Sequence, residues 1–269
     1  MTTAGARTGV GPLLKAWRER RRLSQLELAL RAESSARHIS FVENGRSRPS
    51  EAMVLRLADR LDVPVRERNT LLLAAGYAPR YPETPLDDPA LEPVREAIGR
   101  LLAGYEPYPA LVLDGCYRVV AANEGITRLL DGVAGELLAP PLNAMRVMLH
   151  PRGLAPRIRN LPEWRGHLLE QLERRLGPGG PAELRALYEE LSGYPVPGSA
   201  DATDPVADPR PLAPAIALPL RIEHRGRLLS FVSSVSTFNT PMDVTVSELA
   251  VETFLPADAG TAALLRGPV

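Results

Sequence analysis

Apolar residues in the first third of the chain recur at helical spacing, in short runs broken by capping residues. Leu13, Leu14 and Trp17 predict a helix from Pro12 onward, behind a small, Gly-rich arm over residues 1–11. Ser24-Gln25-Leu26-Glu27 is a capping box that opens a second helix, with Leu28 and Ala29 turned inward. After a tight connection at Glu33-Ser34, a serine (Ser34 or Ser35) caps a third. Asn44-Gly45 ends it, since glycine tolerates the left-handed turn that follows a helix. Ser50 caps a fourth, whose Val54, Leu57, Ala58 and Leu61 form one stripe that ends near Val63-Pro64. A fifth is predicted over residues 65–75, stopped by Gly76. Five short helices, the second and third joined by a tight turn, predict a helix-turn-helix bundle.

The third helix is too short to be stable alone. Its narrow apolar stripe, Ile39 and Val42, must lie against neighbours, leaving Arg37, Ser40, Phe41 and Asn44 outward with His38 at the edge. Arg46 and Arg48 follow directly. An outward arginine can pair bidentately with guanine, and an outward phenylalanine can meet a thymine methyl. Arginines on phosphates fix register without reading sequence. The pattern predicts a DNA recognition helix with phosphate-binding residues behind it.

Beyond this bundle the pattern changes. Residues 76–92 hold four prolines and read as a semi-rigid linker. A helix is predicted over residues 93–102. Residues 110–114 and 117–122 are short β-rich runs around Gly115-Cys116, a hairpin signal. Asn123 caps a helix carrying Ile126, Leu129 and Leu130. Helical spacing returns over residues 142–151 and 164–176, and again over 182–191 after a Gly- and Pro-rich break. Residues 192–214 hold six prolines and predict a long loop or partly disordered segment. Residues 216–224 and 228–237 predict a second hairpin, residues 245–253 a last strand, and residues 257–265 a closing helix. The expectation is an α+β protein. An all-α bundle over residues 1–78 and a linker over 79–92 precede an antiparallel sheet over 93–269, with helices on one side and helical insertions.

The net charge of zero conceals an asymmetry. Residues 1–80 hold 15 Lys and Arg against 8 Asp and Glu, and the remainder 17 against 24. Only the basic part is therefore expected to touch a polyanion, double-stranded operator DNA. Cys116 is the only cysteine, which excludes an internal disulfide and a thiolate metal cluster. No apolar run reaches the about 18 residues of a membrane span, and the first residues lack a signal-peptide core, so a cytoplasmic protein is expected. The chain has no Gly-x-Ser-x-Gly, Gly-x-Gly-x-x-Gly, P-loop or His-Glu-x-x-His motif, and catalysis is not expected.

The patterns SQxELA, IxxVENG, RP and LAxxLxVP resemble the DNA-binding domains of lambdoid phage repressors and Xre regulators, over residues 11–75. The resemblance implies that Gln25 contacts a phosphate and braces the recognition helix. It places Ala36, Arg37, Ser40 and Phe41 against base edges and Asn44, Arg46 and Arg48 at phosphates. It also implies a buried Arg18–Glu43 pair tying the first helix to the third. Ala36 and Phe41 stand where related repressors often have glutamine, so no operator sequence carries over.

The run VLDGCYRVVAANEGITRLL resembles the opening of a PAS domain. With NAMRVMLHPRGLAP, EWRGHLL and STFNTPMDVTVSELAVETFLPADAGTAALL, nearly the whole chain resembles MmyB-like regulators. Asn239 departs from the glycine common there. That resemblance implies a PAS-like ligand-binding domain for a small apolar, fatty-acid-like effector. No cofactor is expected apart from such a bound ligand. Met145, Met148, Leu149, Trp164, Leu168, Phe231 and Phe238 are candidates for its pocket, or for plain core. His150 is a candidate ligand for haem or an effector carboxylate, or a structural histidine. Cys116 carries a redox role or none. A bundle of this size usually needs two half-sites for useful affinity, so a homodimer is expected. The competing reading is an apolar-ligand carrier or scaffold whose basic bundle docks to protein.

Overall fold

The computed structural model describes residues 9–176, 181–195 and 217–267. By its internal contacts the chain divides into two compact units. The first comprises residues 1–91 with 238–247, and the second residues 92–237 with 248–269.

The first unit begins with five helices: α1 (Val10–Arg20), α2 (Gln25–Arg31), α3 (Ala36–Glu43), α4 (Glu51–Arg60) and α5 (Val65–Ala74). Serine hydroxyls satisfy free amides at three starts. Ser24 with Glu27 forms a full capping box on α2, Ser35 accepts from His38 N on α3, and Ser50 accepts from Met53 N on α4. At the end of α3, Gly45 adopts φ +70°. Gly45 N donates to Val42 O and Arg46 N to Phe41 O, at 3.1 and 2.8 Å, the paired bonds of a Schellman turn. Leu14, Leu28, Ile39, Val42, Val54, Leu57 and Leu72 meet in one buried core.

Helix α1 starts at Val10, inside the arm expected from the sequence. Val10 is buried, and Gly11 lies so close to α3 that a Cβ there would stand 2.5 Å from Val42 O. The glycine lets two helix backbones approach, which a composition-based reading of the arm does not capture.

The second unit follows with α6 (Glu92–Tyr105), β1 (Ala110–Leu113), β2 (Val119–Ala122), α7 (Glu124–Leu129), α8 (Gly135–Leu138), α9 (Ala144–Leu149), α10 (Leu161–Leu176) and α11 (Ala182–Ser192). Then come β3 (Leu220–His224), β4 (Arg227–Thr237), β5 (Ala250–Pro256) and α13 (Ala259–Arg266), while α12 (Val244–Glu248), between β4 and β5, lies in the first unit up to Ser247. The strands form one antiparallel sheet in the order β2-β1-β5-β4-β3. Side chains of α7, α9, α10 and α11 share a core with Leu111, Leu113, Ile222, Phe231 and Phe254 of the sheet. Of the Pro-rich segment expected as a loop over 192–214, residues 196–214 lie outside the described residues.

Two expectations are corrected. Helices were expected on one side of the sheet, yet every residue of β1 is buried. Strand period 2 turns Ala110 and Val112 away from Leu111 and Leu113, and α6 packs on β1. The last strand was expected over residues 245–253, but residues 244–248 are helical and β5 begins at Ala250. Asp243 decides this: its carboxylate accepts from Val246 N (3.3 Å) and its carbonyl from Ser247 N (3.0 Å). That capping overrides the β-propensity of Val244, Thr245 and Val246.

The β4–β5 connection packs within the first unit. Val244 N donates to Pro82 O (2.8 Å), and Thr84 N donates to the Asp243 carboxylate (3.1 Å). The Pro-rich segment is itself stapled to α5. Asn69 donates to Tyr81 O and accepts from Arg80 N and Tyr81 N, and Arg66 forms a bidentate ion pair with Glu83. Proline stiffness alone predicts a spacer; these bonds fix its course.

Candidate nucleic-acid interface and effector cavity

Helix α3 is set in place by a buried ion pair. Arg18 of α1 donates to both carboxylate oxygens of Glu43, at 2.6 and 2.9 Å, and also to Leu23 O. Both residues are more than nine-tenths buried. The Glu43 carboxylate and its hydrogen bonds hold the Arg18 guanidinium above its usual range despite burial. Gln25 of α2 also donates to Glu43 (2.8 Å), so one carboxylate gathers α1, α2 and α3. A bidentate, fully bonded pair fixes geometry more than it adds stability.

With Ile39, Val42 and Glu43 inward, α3 presents its other residues outward. Arg37 is exposed, its guanidinium 5.2 Å from the centre of the Phe41 ring, and it makes no hydrogen bond among the described residues. Ser40 and Phe41 are half-buried beside it, and Ala36 packs partly on the core at the first turn. Asn44 is exposed and donates to Ser40 O. Arg46 is exposed and unpaired among the described residues. Arg48, expected at a phosphate, is instead bonded to Ala75 O and Gly76 O, at 3.1 and 3.3 Å, and stacks on Tyr77. Its charge sits on the carbonyl end of α5, where a cation is stabilised. Sequence spacing shows Arg46 and Arg48 alike; only the fold separates them.

The second unit holds a partly open cavity of about 230 Å³ between the sheet and helices α7, α9 and α10. Met145, Met148, Trp164 and Leu168, taken as candidates from the sequence, line it. Leu149, His150, Phe231 and Phe238 do not. Leu149 points into the core, and Phe231 packs edge-on against Phe254, which does line the cavity. His150 stacks edge-to-face on Tyr194 and accepts from Arg152 N. Phe238 belongs to the first unit.

Sequence reading also missed Tyr117, Glu252 and Phe254 in the wall. Tyr117 adopts φ +62°, uncommon for a bulky side chain, held by a turn on Asp114. On β5, period 2 puts Glu252 and Phe254 on one face; that pairing was available from sequence once the strand was placed correctly. Cys116 lies beside this turn, and desolvation pushes its thiol up to about 11, which disfavours the thiolate that redox chemistry needs. Among the described residues no cluster of His, Cys, Asp and Glu could hold a metal ion, and no helix is long and apolar enough to cross a membrane.

A bundle that offers an outward arginine-bearing helix, joined to a sheet domain with an apolar cavity, defines a transcription regulator with a ligand-binding module. Residues 14–68 match the helix-turn-helix family model, and residues 94–267 match that of the MmyB-like transcription regulator ligand binding domain. The chain belongs to the MmyB-like transcription regulators, with an Xre-like helix-turn-helix at its N-terminal end. A comparison with curated proteins finds no match. Among solved structures, the chain is similar to one described as an RNA-binding Light-Oxygen-Voltage receptor, at 14% identity and a TM-score of 0.26. The similarity covers 96% of this chain and 60% of that one.

Proposed function

We propose that this regulator binds an operator through α3, as a homodimer in the cytoplasm, and that a small apolar effector in the cavity alters that binding. Arg37, Ser40 and Phe41 read bases, while Asn44 and Arg46 hold phosphates; the protein carries out no catalysis. One observation supports the coupling. The strand that carries Glu252 and Phe254 into the cavity wall is β5. The segment immediately before it is bonded, through Asp243 and Val244, to the stretch stapled on α5. An effector that shifts β5 therefore pulls directly on the frame of the DNA-binding bundle. It alters affinity only as far as it prefers one arrangement of that segment.

Native mass spectrometry of the purified chain, followed by solvent extraction and DNA-binding assays with and without the extract, tests this. An apolar adduct that shifts affinity for a selected operator is the expected result. In Asp243→Ala, operator affinity and adduct should persist while the shift between loaded and unloaded protein shrinks. Operator binding that is identical with and without the adduct removes the effector role.

A further inference from the structure

The cavity wall is apolar apart from Thr127, whose hydroxyl bonds to Asn123 O, and three side chains that make no hydrogen bond among the described residues. The Tyr117 hydroxyl and the Trp164 indole nitrogen are buried with no partner. Glu252 stands opposite Leu111 of β1 in the sheet register, on the face that turns to the cavity. Desolvation drives its carboxyl up to about 7, opposed by the charge of Arg175. Arg175 itself stacks over the Tyr117 ring at 4.7 Å. Tyr117 responds to the same surroundings: burial raises its hydroxyl, Arg175 and Arg174 lower it, and Glu252 raises it. Native interiors rarely leave several polar groups of one wall unbonded, because each forfeits its hydrogen bonds to water.

These groups have a definite chemical demand. Two can donate, and one accepts when ionised. A pure hydrocarbon would leave all three unpaired. A carboxylate head would satisfy the donors, but where Glu252 is ionised it would set a second negative charge beside it, a cost relieved only when Glu252 takes up a proton. An ammonium head would suit Glu252, yet it can accept from neither donor and adds a cation near Arg175. A hydroxyl adds no charge, and it can both accept from a donor of the wall and donate to the carboxylate.

We propose that the cavity selects an apolar molecule with an uncharged hydroxyl-type head, which accepts from the Tyr117 hydroxyl and donates to the Glu252 carboxylate. The proposal rests on the reading of this cavity as the effector site and specifies the head group that site takes.

The test uses the full chain carrying Trp17→Phe, so that Trp164 is the sole indole and its fluorescence reports the cavity. The probes are n-decane, n-decanol, n-decylamine and decanoic acid, titrated at pH about 8, where Glu252 is mainly ionised. Decanol should bind about tenfold tighter than decane, the worth of one or two neutral hydrogen bonds, and tighter than the acid and the amine. Tyr117→Phe should weaken decanol about threefold to tenfold and leave decane unchanged. Glu252→Gln should bring the acid closer to the alcohol. Acid or amine binding as tightly as decanol, or decane equal to decanol, overturns the head-group assignment and leaves the cavity as an apolar effector site. Binding of none of the four overturns the assignment together with the effector reading. The probe series is run without altering the cavity wall, so the outcome does not depend on the wall variants folding.

Discussion

Replacing Glu43 by Ala removes the carboxylate on which α1, α2 and α3 converge. Arg18 keeps its bond to Leu23 O but loses its bidentate partner, with only the exposed Glu19 carboxylate left 3.8 Å away, and Gln25 loses its acceptor. Breaking a buried pair from one side costs about 3–5 kcal/mol. A small domain has roughly 5–15 kcal/mol in total, so the loss is a large share of what holds the bundle. At about 4–8 °C per kcal/mol for a domain of this size, the midpoint of the bundle's transition should fall by about 12–40 °C. Scanning calorimetry of the full chain measures it. The paired variant Arg18→Met, Glu43→Leu is the critical comparison: it removes both charges and fills the space, and should lie within about 1–2 kcal/mol of the parent. That variant should also keep the preferred operator, because the pair positions α3 without touching bases. If the two single losses simply add in the double variant, Arg18 and Glu43 are not coupled and the account of how α3 is held fails.

The remaining predictions separate reading from holding. Arg37→Ala should leave the melting temperature unchanged and cost about 1–3 kcal/mol in operator affinity, relaxing preference at one base pair, as a selection assay would show. Arg46→Ala should weaken binding to all sequences alike and reduce the slope of log affinity against log salt by about one. Arg48→Ala, by contrast, should lower thermal stability while barely changing that slope, since its guanidinium is bonded to Ala75 O and Gly76 O. The Glu252 carboxyl is raised in the folded chain from the ordinary 4.5 to about 7. Its neutral form is the one the fold favours, so the associated stability is complete below pH 4.5 and is lost as pH climbs to about 7. Up to about 3 kcal/mol is at stake, and Glu252→Gln should flatten this part of the denaturation profile; an unchanged profile would mean that the carboxyl is solvated.

Local chemistry determined much of this protein from sequence alone. Ser24, Ser35, Ser50, Asn123 and Gly45 mark helix ends through bonds to their immediate neighbours, so the five-helix bundle and the outward face of α3 follow from short-range rules. The hairpins around Gly115-Cys116 and Arg225-Gly226 follow for the same reason, and the inward facing of Met145, Met148, Trp164 and Leu168 follows from helical spacing. What depended on partners far along the chain was not legible. Gly11 looks like part of an arm until Val42 O is seen beside it, and Arg48 looks like a phosphate ligand until the end of α5 reaches it. Residues 244–248 look like a strand until Asp243 is fixed between Thr84 N and the start of α12. Glu252 looks like one exposed charge among many, because its burial is created by the sheet and helices that close over it. Hydrogen bonds between near neighbours are written in the order of residues. Desolvation and long-range pairing exist only after the chain has folded, and they decided which arginine is free and which carboxylate faces the cavity.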